Sequence, residues 1–179
     1  DYKNQIRTIQ VLIKEGNPQA AATLAEKLTE NILVEMSAVN TNHPVVNAVL
    51  NQKFHLAREQ GTSMIFKVGD MSGMRLNEEE TVILLSNLLD NAIRECVKVV
   101  KAGRKAVIHI KLVQEDGKII FSVKNPVVEK GQITDGIVQD SNGGMHGIGL
   151  SNVKAVVDKY GGDFVISCDS EKFQAVVML

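Results

Sequence analysis

The stretch LLSNLLDNAIREC, from Leu84 to Cys96, decides the fold of this chain. Its apolar residues recur three and four positions apart, which predicts an α-helix with one face toward a core. The helix also carries Asn87 and Asn91, although asparagine is an indifferent helix former. Because residues four apart project from the same side of a helix, the two amides form a pair, and Arg94 lies on nearly the same stripe.

This polar stripe has two interpretations. Amide oxygens can ligate Mg²⁺, a hard cation that usually shares its coordination shell with waters and phosphates. A guanidinium suits phosphate oxygens. Asn87, Asn91 and Arg94 together therefore indicate a Mg²⁺–polyphosphate site, with both asparagines as candidate metal ligands. In the alternative, the two amides simply face solvent on an amphipathic helix, and the helix by itself leaves both interpretations open.

A glycine-rich segment, GGMHGIGLSNV at residues 143–153, precedes another predicted helix. Gly147 and Gly149 would let backbone amides approach a ligand closely, and a helix N-terminus attracts anions. A flexible gate or a plain helix cap would use the same residues. The dinucleotide-binding pattern does not fit, because no βαβ unit surrounds the segment, and nothing like a Walker A sequence occurs.

A third polar position ends a predicted strand. In FSVKNPV, Asn125 precedes Pro126, and an irregular stretch follows as far as Met145. An amide at the end of a strand can read the edge of a base by hydrogen bonds. The same residues also occur in ordinary turns, so this pattern alone is not specific.

The remaining pattern predicts two domains. Residues 1–40 read as two helical runs broken at Gly16–Pro18, which makes an antiparallel hairpin with Val39 on the apolar side of the second run. His43 or Asn42 can cap the next helix. Residues 44–179 then read as helices and strands in which Asp116-Gly117 marks a hairpin. The predicted fold is α+β: a two-layer α/β sandwich with a mostly antiparallel sheet, preceded by the helical hairpin.

Composition excludes several classes of protein. The formal net charge is −1, and aromatic residues make up only 4% of the chain, so neither charge nor stacking favours a nucleic-acid partner. Cys96 and Cys168 have no metal-type spacing, which predicts two reduced thiols. No apolar run approaches the roughly 20 residues that a membrane span needs.

Taken together, the three polar patterns resemble the Bergerat-fold (GHKL) ATPases, a group that contains gyrase and the sensor histidine kinases. Asn87, Leu88, Asn91, Ala92 and Arg94 resemble the N box of histidine kinases, Asn-Leu-x-x-Asn-Ala-x-Lys/Arg. The sequence HGIGLSNVKAVVDKYGGDF resembles the second glycine box and the helix after it, and VKNPV occupies the place of the first glycine box.

This resemblance implies that the chain binds ATP together with Mg²⁺, and it implies a particular role for each of several residues. The implied nucleotide and phosphate ligands are Asn87, Asn91, Arg94, Asn125, His146, Gly147, Gly149 and Leu150. Asn91, assisted by Asn87, is the implied metal ligand. The irregular stretch from Pro126 to Met145 takes the place of the lid over the nucleotide.

Two further segments are similar to peptide-sensing, quorum-sensing kinases of the Agr/Com type. DYKNQ at Asp1 resembles the segment that follows their phosphoacceptor histidine, and NHPVVNAVLNQKFHLAREQG resembles the helix that opens their catalytic domain. The resemblance places the acceptor histidine just before Asp1, so this fragment would bind ATP without its own acceptor. It also implies relay to a response-regulator aspartate, a homodimer formed through the hairpin (residues 1–40), and the cytoplasmic domain of a bacterial membrane protein whose membrane portion lies upstream.

The sequence departs from the family pattern at three places. Asn125 replaces the usual adenine-reading aspartate, and Met145 stands where glycine is common. Asn87 occupies the position where the hydrolysing members of the fold keep a glutamate, which favours phosphoryl transfer to a protein side chain over hydrolysis by water. These departures leave open a degenerate, non-catalytic dimeric scaffold on the same fold. A serine-directed kinase of the anti-sigma type is a third candidate, against which the helical hairpin argues.

Overall fold

The computed structural model describes residues 2–35, 39–128, 132–134, 137–139 and 147–179. The chain divides into two compact units, Asp1–Ala38 and Val39–Leu179. The first unit is a pair of packed helices, α1 (Tyr2–Lys14) and α2 (Pro18–Glu35). Gly16 adopts a positive φ of 75° in the turn between them. The two predicted helical runs are therefore confirmed, and the dimerisation role of this unit stays a prediction.

Val39 does not lie on the second helix, and that expectation was wrong. It belongs to the second unit, where it is buried. The side-chain amide of Asn51 accepts a hydrogen bond from the Val39 N–H at 3.2 Å and donates one to the Val39 carbonyl at 3.0 Å. These long-range bonds satisfy both backbone groups outside a helix, which helical periodicity does not reveal.

The second unit is a two-layer α/β sandwich, as predicted. Its five-stranded sheet has the order β1-β2-β3-β7-β6, in which β1 and β2 are parallel and the other neighbours are antiparallel. Its elements in chain order are α3 (Pro44–Glu59), β1 (Ser63–Val68), α4 (Glu78–Lys101), β2 (Val107–Glu115), β3 (Lys118–Pro126), β4 (Gln132–Thr134), β5 (Ile137–Gln139), α5 (Gly147–Lys159), β6 (Asp163–Cys168) and β7 (Lys172–Met178).

The core lies between the sheet and the three helices α3, α4 and α5. Along β3 the residues alternate between buried and half-buried, and the buried series that includes Phe121 and Val123 ends at Asn125. On α4, Leu88 and Leu89 are buried in the same cluster. Burial of one sheet face beneath one layer of helices is what the alternating pattern predicts.

Residues close together in the sequence determine where these helices and strands begin and end. Asn77 caps α4 by accepting a hydrogen bond from the Glu80 N–H at 2.8 Å, and the Glu80 side chain accepts from the Asn77 N–H to complete a capping box. His43 caps α3 through Nδ1. Asp116 and Gly117 both have positive φ, as a two-residue hairpin turn between β2 and β3 requires. The predicted His43 cap and the predicted Asp116-Gly117 hairpin are confirmed.

The stretch from Pro126 to Met145 is not wholly irregular, contrary to expectation. β4 and β5 form a small antiparallel pair within it. Strands of three residues are too short to show an alternating pattern, which explains why the sequence did not reveal them.

No helix in the described part of the chain is both long enough and apolar enough to cross a membrane. Both cysteines are free. Cys96 is fully buried in α4, and burial raises the pKa of its thiol to about 12, which leaves it without thiolate character at neutral pH.

Acid should weaken the fold partly through Asp70, in the loop after β1. Its carboxylate accepts hydrogen bonds from the Ser72 hydroxyl, the Asn42 amide and the Ser72 N–H, and these lower the Asp70 pKa from 3.8 to about 2. A carboxyl with a lowered folded-state pKa stabilises the fold above its unfolded pKa, and that stabilisation disappears as the pH falls through the folded pKa. We therefore expect this contribution to be lost between pH 3.8 and about 2.

The test is urea unfolding of the unmodified chain and of Asp70→Asn across this pH range. The variant should lose less stability on acidification than the unmodified chain. Asp163→Asn is the matched control, because Asp163 is exposed and its carboxylate has no hydrogen-bond partner in the described residues. Equal pH dependence in all three proteins would contradict the assignment to Asp70.

Candidate functional site

One cavity brings together most of the predicted phosphate-binding residues. It has a volume of about 230 Å³ and lies between α4 and the first turn of α5. Its lining residues are Asn87, Asp90, Asn91, Arg94, Ile148, Gly149 and Leu150. The polar stripe of α4 therefore faces the glycine-rich helix start, with Asn91 buried, Asn87 half-buried and Arg94 exposed.

The polar side chains of α4 are held by hydrogen bonds along the helix. The Arg94 guanidinium donates to Asn91 Oδ1 at 2.7 Å, and the Asn87 amide donates to the Ile83 carbonyl at 2.7 Å. Asn91 is only 9% exposed, so its amide lies at the inner wall of the cavity. The interpretation of these asparagines as plain solvent-facing amides is wrong for Asn91.

Gly149 allows α5 to approach α4 closely. A Cβ atom at this position would lie 2.9 Å from Asn87 Oδ1, closer than ordinary van der Waals contact. The glycine at this position thus serves the contact between the two helices, in addition to any contact between its backbone and a ligand.

A second contact joins the start of α4 to the end of α5. The Glu80 carboxylate, at the start of α4, accepts hydrogen bonds from Lys159 and from the Tyr160 hydroxyl, at the end of α5. These bonds, the one from Lys159 foremost, hold the pKa of Glu80 below its usual value. The carboxylate raises the pKa of Tyr160 in return. The helices α4 and α5 are therefore held together at both ends of α5, by Gly149 against Asn87 and by the hydrogen bonds to Glu80.

Replacing Gly149 with alanine should weaken ligand binding as well as the fold. The added methyl group would displace the Asn87 amide, which is held by Ile83, and overpacking of this kind costs about 1–3 kcal/mol. Titration with a Mg²⁺–ATP analogue should show at least about tenfold weaker binding, equivalent to about 1.4 kcal/mol. Gly73→Ala is the control, since a Cβ there would meet only Gln114 Oε1 at an ordinary contact distance of 3.6 Å, and Gly73 lies outside the cavity lining. Unchanged affinity in Gly149→Ala would contradict this role.

The cavity has a donor set that suits Mg²⁺. Asn87 and Asn91 offer amide oxygens, whereas the Asp90 carboxylate on the same wall is paired with Lys53. Asn91 Oδ1 already accepts one bond from Arg94, but an amide oxygen has two lone pairs. No group of three His, Cys, Asp or Glu side chains is placed to hold a metal ion in the described residues. An ion here would therefore depend on phosphates and waters for the rest of its ligands.

Asn125 lies elsewhere, at the end of β3. It is only 1% exposed, and its Nδ2 donates to the Pro126 carbonyl at 2.9 Å. Its Oδ1 is buried without a hydrogen-bond partner in the described residues. It contributes to a second hollow of about 430 Å³ and not to the cavity beside Asn91. An unpaired buried amide oxygen is costly, so it is suited to accept a bond from a ligand.

The two remaining predicted ligands are His146 and Gly147. His146 lies outside the described residues, as does the lid residue Met145. Gly147 is the first residue of α5, where backbone N–H groups lack helical partners.

The sequence analysis missed two residues at the cavity. Asp90 directly precedes Asn91, and the Lys53 ammonium of α3 lies 2.7 Å from the Asp90 carboxylate. No spacing rule connects residues 53 and 90.

The fold and the cavity between α4 and α5 define a class of protein. Residues 76–179 match the family pattern of the GHKL domain, which covers more than half of the chain. The chain therefore belongs to the GHKL domain family. No curated protein sequence matched it.

Three solved structures share this fold. The catalytic domain of the histidine kinase ThkA has a TM-score of 0.56 and 18% identity, covering 78% of this chain and 92% of that domain. The Acinetobacter baumannii histidine kinase AdeS has a TM-score of 0.53 and 17% identity, covering 99% of this chain and 95% of its own. Full-length ShkA, solved in complex with AMPPNP, has a TM-score of 0.55 and 14% identity, covering 92% of this chain and 37% of ShkA. The second unit has the fold of a histidine kinase catalytic domain.

Proposed function

We propose that the chain is the ATP-binding part of a sensor histidine kinase. The observation that carries this proposal is the single cavity in which Asn87, Asn91 and Arg94 of α4 face Gly149 of α5. Membership of the GHKL family supports it, as does the AMPPNP complex of the structurally similar ShkA. The residues on the α4 side and on the α5 side of the cavity lie about sixty positions apart in the sequence, so the tertiary structure brings them together.

Each residue would have a separate task in binding ATP. Asn91, assisted by Asn87, would hold Mg²⁺, which supplies neutralisation of phosphate charge when it is bound. Arg94 would release Asn91 Oδ1 and pair with phosphate oxygens. The backbone N–H groups at Gly147 and Gly149 would donate hydrogen bonds to the phosphate oxygens of the nucleotide at the start of α5. The adenine would have to reach the separate hollow at the end of β3, where Asn125 Oδ1 would accept a hydrogen bond from its exocyclic amine.

The reaction would be phosphoryl transfer to a histidine side chain and not hydrolysis. Asn87 stands where a water-activating glutamate would be needed, and an amide is not a base. Asp90 is a carboxylate in the cavity wall, but Lys53 binds it. Because the described wall of the cavity offers no free base to activate water, positioning and charge neutralisation would carry the transfer to a protein acceptor.

The wider assignment belongs to the same proposal. The Agr/Com resemblance supports a peptide-sensing kinase on the cytoplasmic side of a bacterial membrane, with relay to a response-regulator aspartate. The first unit would pair with its copy as a four-helix bundle, which the exposure of Ile6, Val11 and Ile13 on α1 supports.

The test is calorimetric titration of the chain with a non-hydrolysable ATP analogue, with and without Mg²⁺. The proposal expects binding that tightens when Mg²⁺ is present. Absence of binding at millimolar nucleotide would overturn it and would favour a dimeric scaffold that regulates a partner by docking.

A further inference from the structure

A lysine from outside the family match reaches the wall of the cavity. The Lys53 ammonium, on α3, lies 2.7 Å from Asp90 Oδ1 on α4. Its side chain is only 12% exposed, whereas that of Asp90 is 49% exposed. α3 ends at Glu59 and the GHKL match begins at residue 76, so this contact joins the matched domain to a helix that the match does not include.

The Asp90 carboxylate opposes the binding of a polyphosphate. It contributes to the same cavity wall as Asn91 and Arg94, so it would lie close to a bound phosphate, and like charges repel. Among the described residues that line the cavity, Arg94 is the only cation, so its charge and that of Asp90 cancel. Lys53 adds a second cation directly on Asp90, and the local balance becomes positive.

We propose that Lys53 is a positioning residue of the nucleotide site, which neutralises and orients Asp90 so that the cavity accepts phosphate. The inference rests on the proposed function. Lys53 is not part of the cavity lining, so it acts through Asp90 and not by direct contact with the ligand. The helix before the matched domain thereby becomes part of the ATP site.

An ordinary ion pair between two helices would behave differently. Pairs near the surface contribute little to stability, and their loss would leave ligand affinity unchanged. In our proposal, the loss of Lys53 leaves an uncompensated carboxylate facing phosphate. The defect should therefore grow with the number of phosphates on the ligand, and it should disappear when Asp90 is neutralised as well.

The experiment is titration of Lys53→Met with a Mg²⁺–ATP analogue and with AMP. We expect binding of the triphosphate to weaken by about tenfold, with a smaller effect on AMP, since repulsion scales with charge. The double variant Lys53→Met/Asp90→Asn should recover most of the affinity. Lys53→Arg, which keeps the charge, should stay near the unmodified chain. Lys67→Met, which removes an exposed lysine on β1, is the matched control.

The possible failures can be told apart. If the unmodified chain binds nucleotide and Lys53→Met binds equally well, this inference alone is overturned. Weak binding that the double variant does not restore would also overturn it, because the lysine would then act through packing. If the unmodified chain binds no nucleotide, both this inference and the proposed function fail. Urea unfolding of each variant verifies the fold, and Lys53→Arg serves as the test of charge if Lys53→Met is unstable.

Discussion

Asn91→Ala is expected to abolish Mg²⁺-dependent binding of nucleotide. Asn91 lies at the inner wall of the cavity, and its amide oxygen is the acceptor that Arg94 occupies in this structure. The substitution removes the metal ligand and leaves the guanidinium without its resting partner. Even outer partners of metal ligands change affinity by about 10–100-fold, so loss of a direct ligand should weaken binding by at least that factor.

Calorimetry with and without Mg²⁺ measures this effect. The unmodified chain should bind more tightly with Mg²⁺, whereas Asn91→Ala should show no difference between the two conditions. Asn152→Ala is the matched control, because Asn152 is an exposed asparagine on α5 outside the cavity lining. If Asn91→Ala keeps its Mg²⁺ dependence, the metal would have to be held elsewhere, and the assignment of the polar stripe would be wrong.

Gly162→Ala should cause the largest loss of stability among these substitutions. A Cβ atom at Gly162 would lie 2.3 Å from the Met178 carbonyl oxygen, 2.6 Å from Leu179 Cδ2 and 3.2 Å from Val157 Cγ1. The nearest of these atoms belongs to the backbone of β7, which pairs with both β3 and β6 and cannot move without disturbing both ladders. We expect a loss of at least about 3 kcal/mol, the upper part of the usual range for overpacking.

The neighbouring glycine provides a control for this prediction. Gly161 has a positive φ of 65°, and a Cβ there would meet nothing within 4 Å. Gly161→Ala should therefore cost only the strain of a left-handed alanine, about 1–2 kcal/mol. Urea unfolding of both variants compares a steric clash with backbone strain one residue apart. A smaller loss at Gly162 than at Gly161 would show that the β7 backbone adapts to the methyl group.

Much of the fold was predictable from short stretches of sequence. The cap at Asn77, the Asp116-Gly117 turn and the helical spacing of the polar stripe each depend on residues within a few positions of one another. Hydrogen bonds that close within one turn require no knowledge of the rest of the chain. The sequence therefore determined the α+β class, the ends of α4 and the pairing of Asn87 with Asn91.

The tertiary structure alone decided how these elements meet. It placed Gly149 against Asn87, it joined Glu80 to Tyr160, and it put Lys53 on Asp90. It also separated Asn125 from the cavity beside Asn91 and moved Val39 into the second unit. These contacts join residues far apart in the chain, and they form only when packed helices and strands bring the side chains together. Periodicity shows which face of a helix is buried, but it does not show which distant side chain that face will contact.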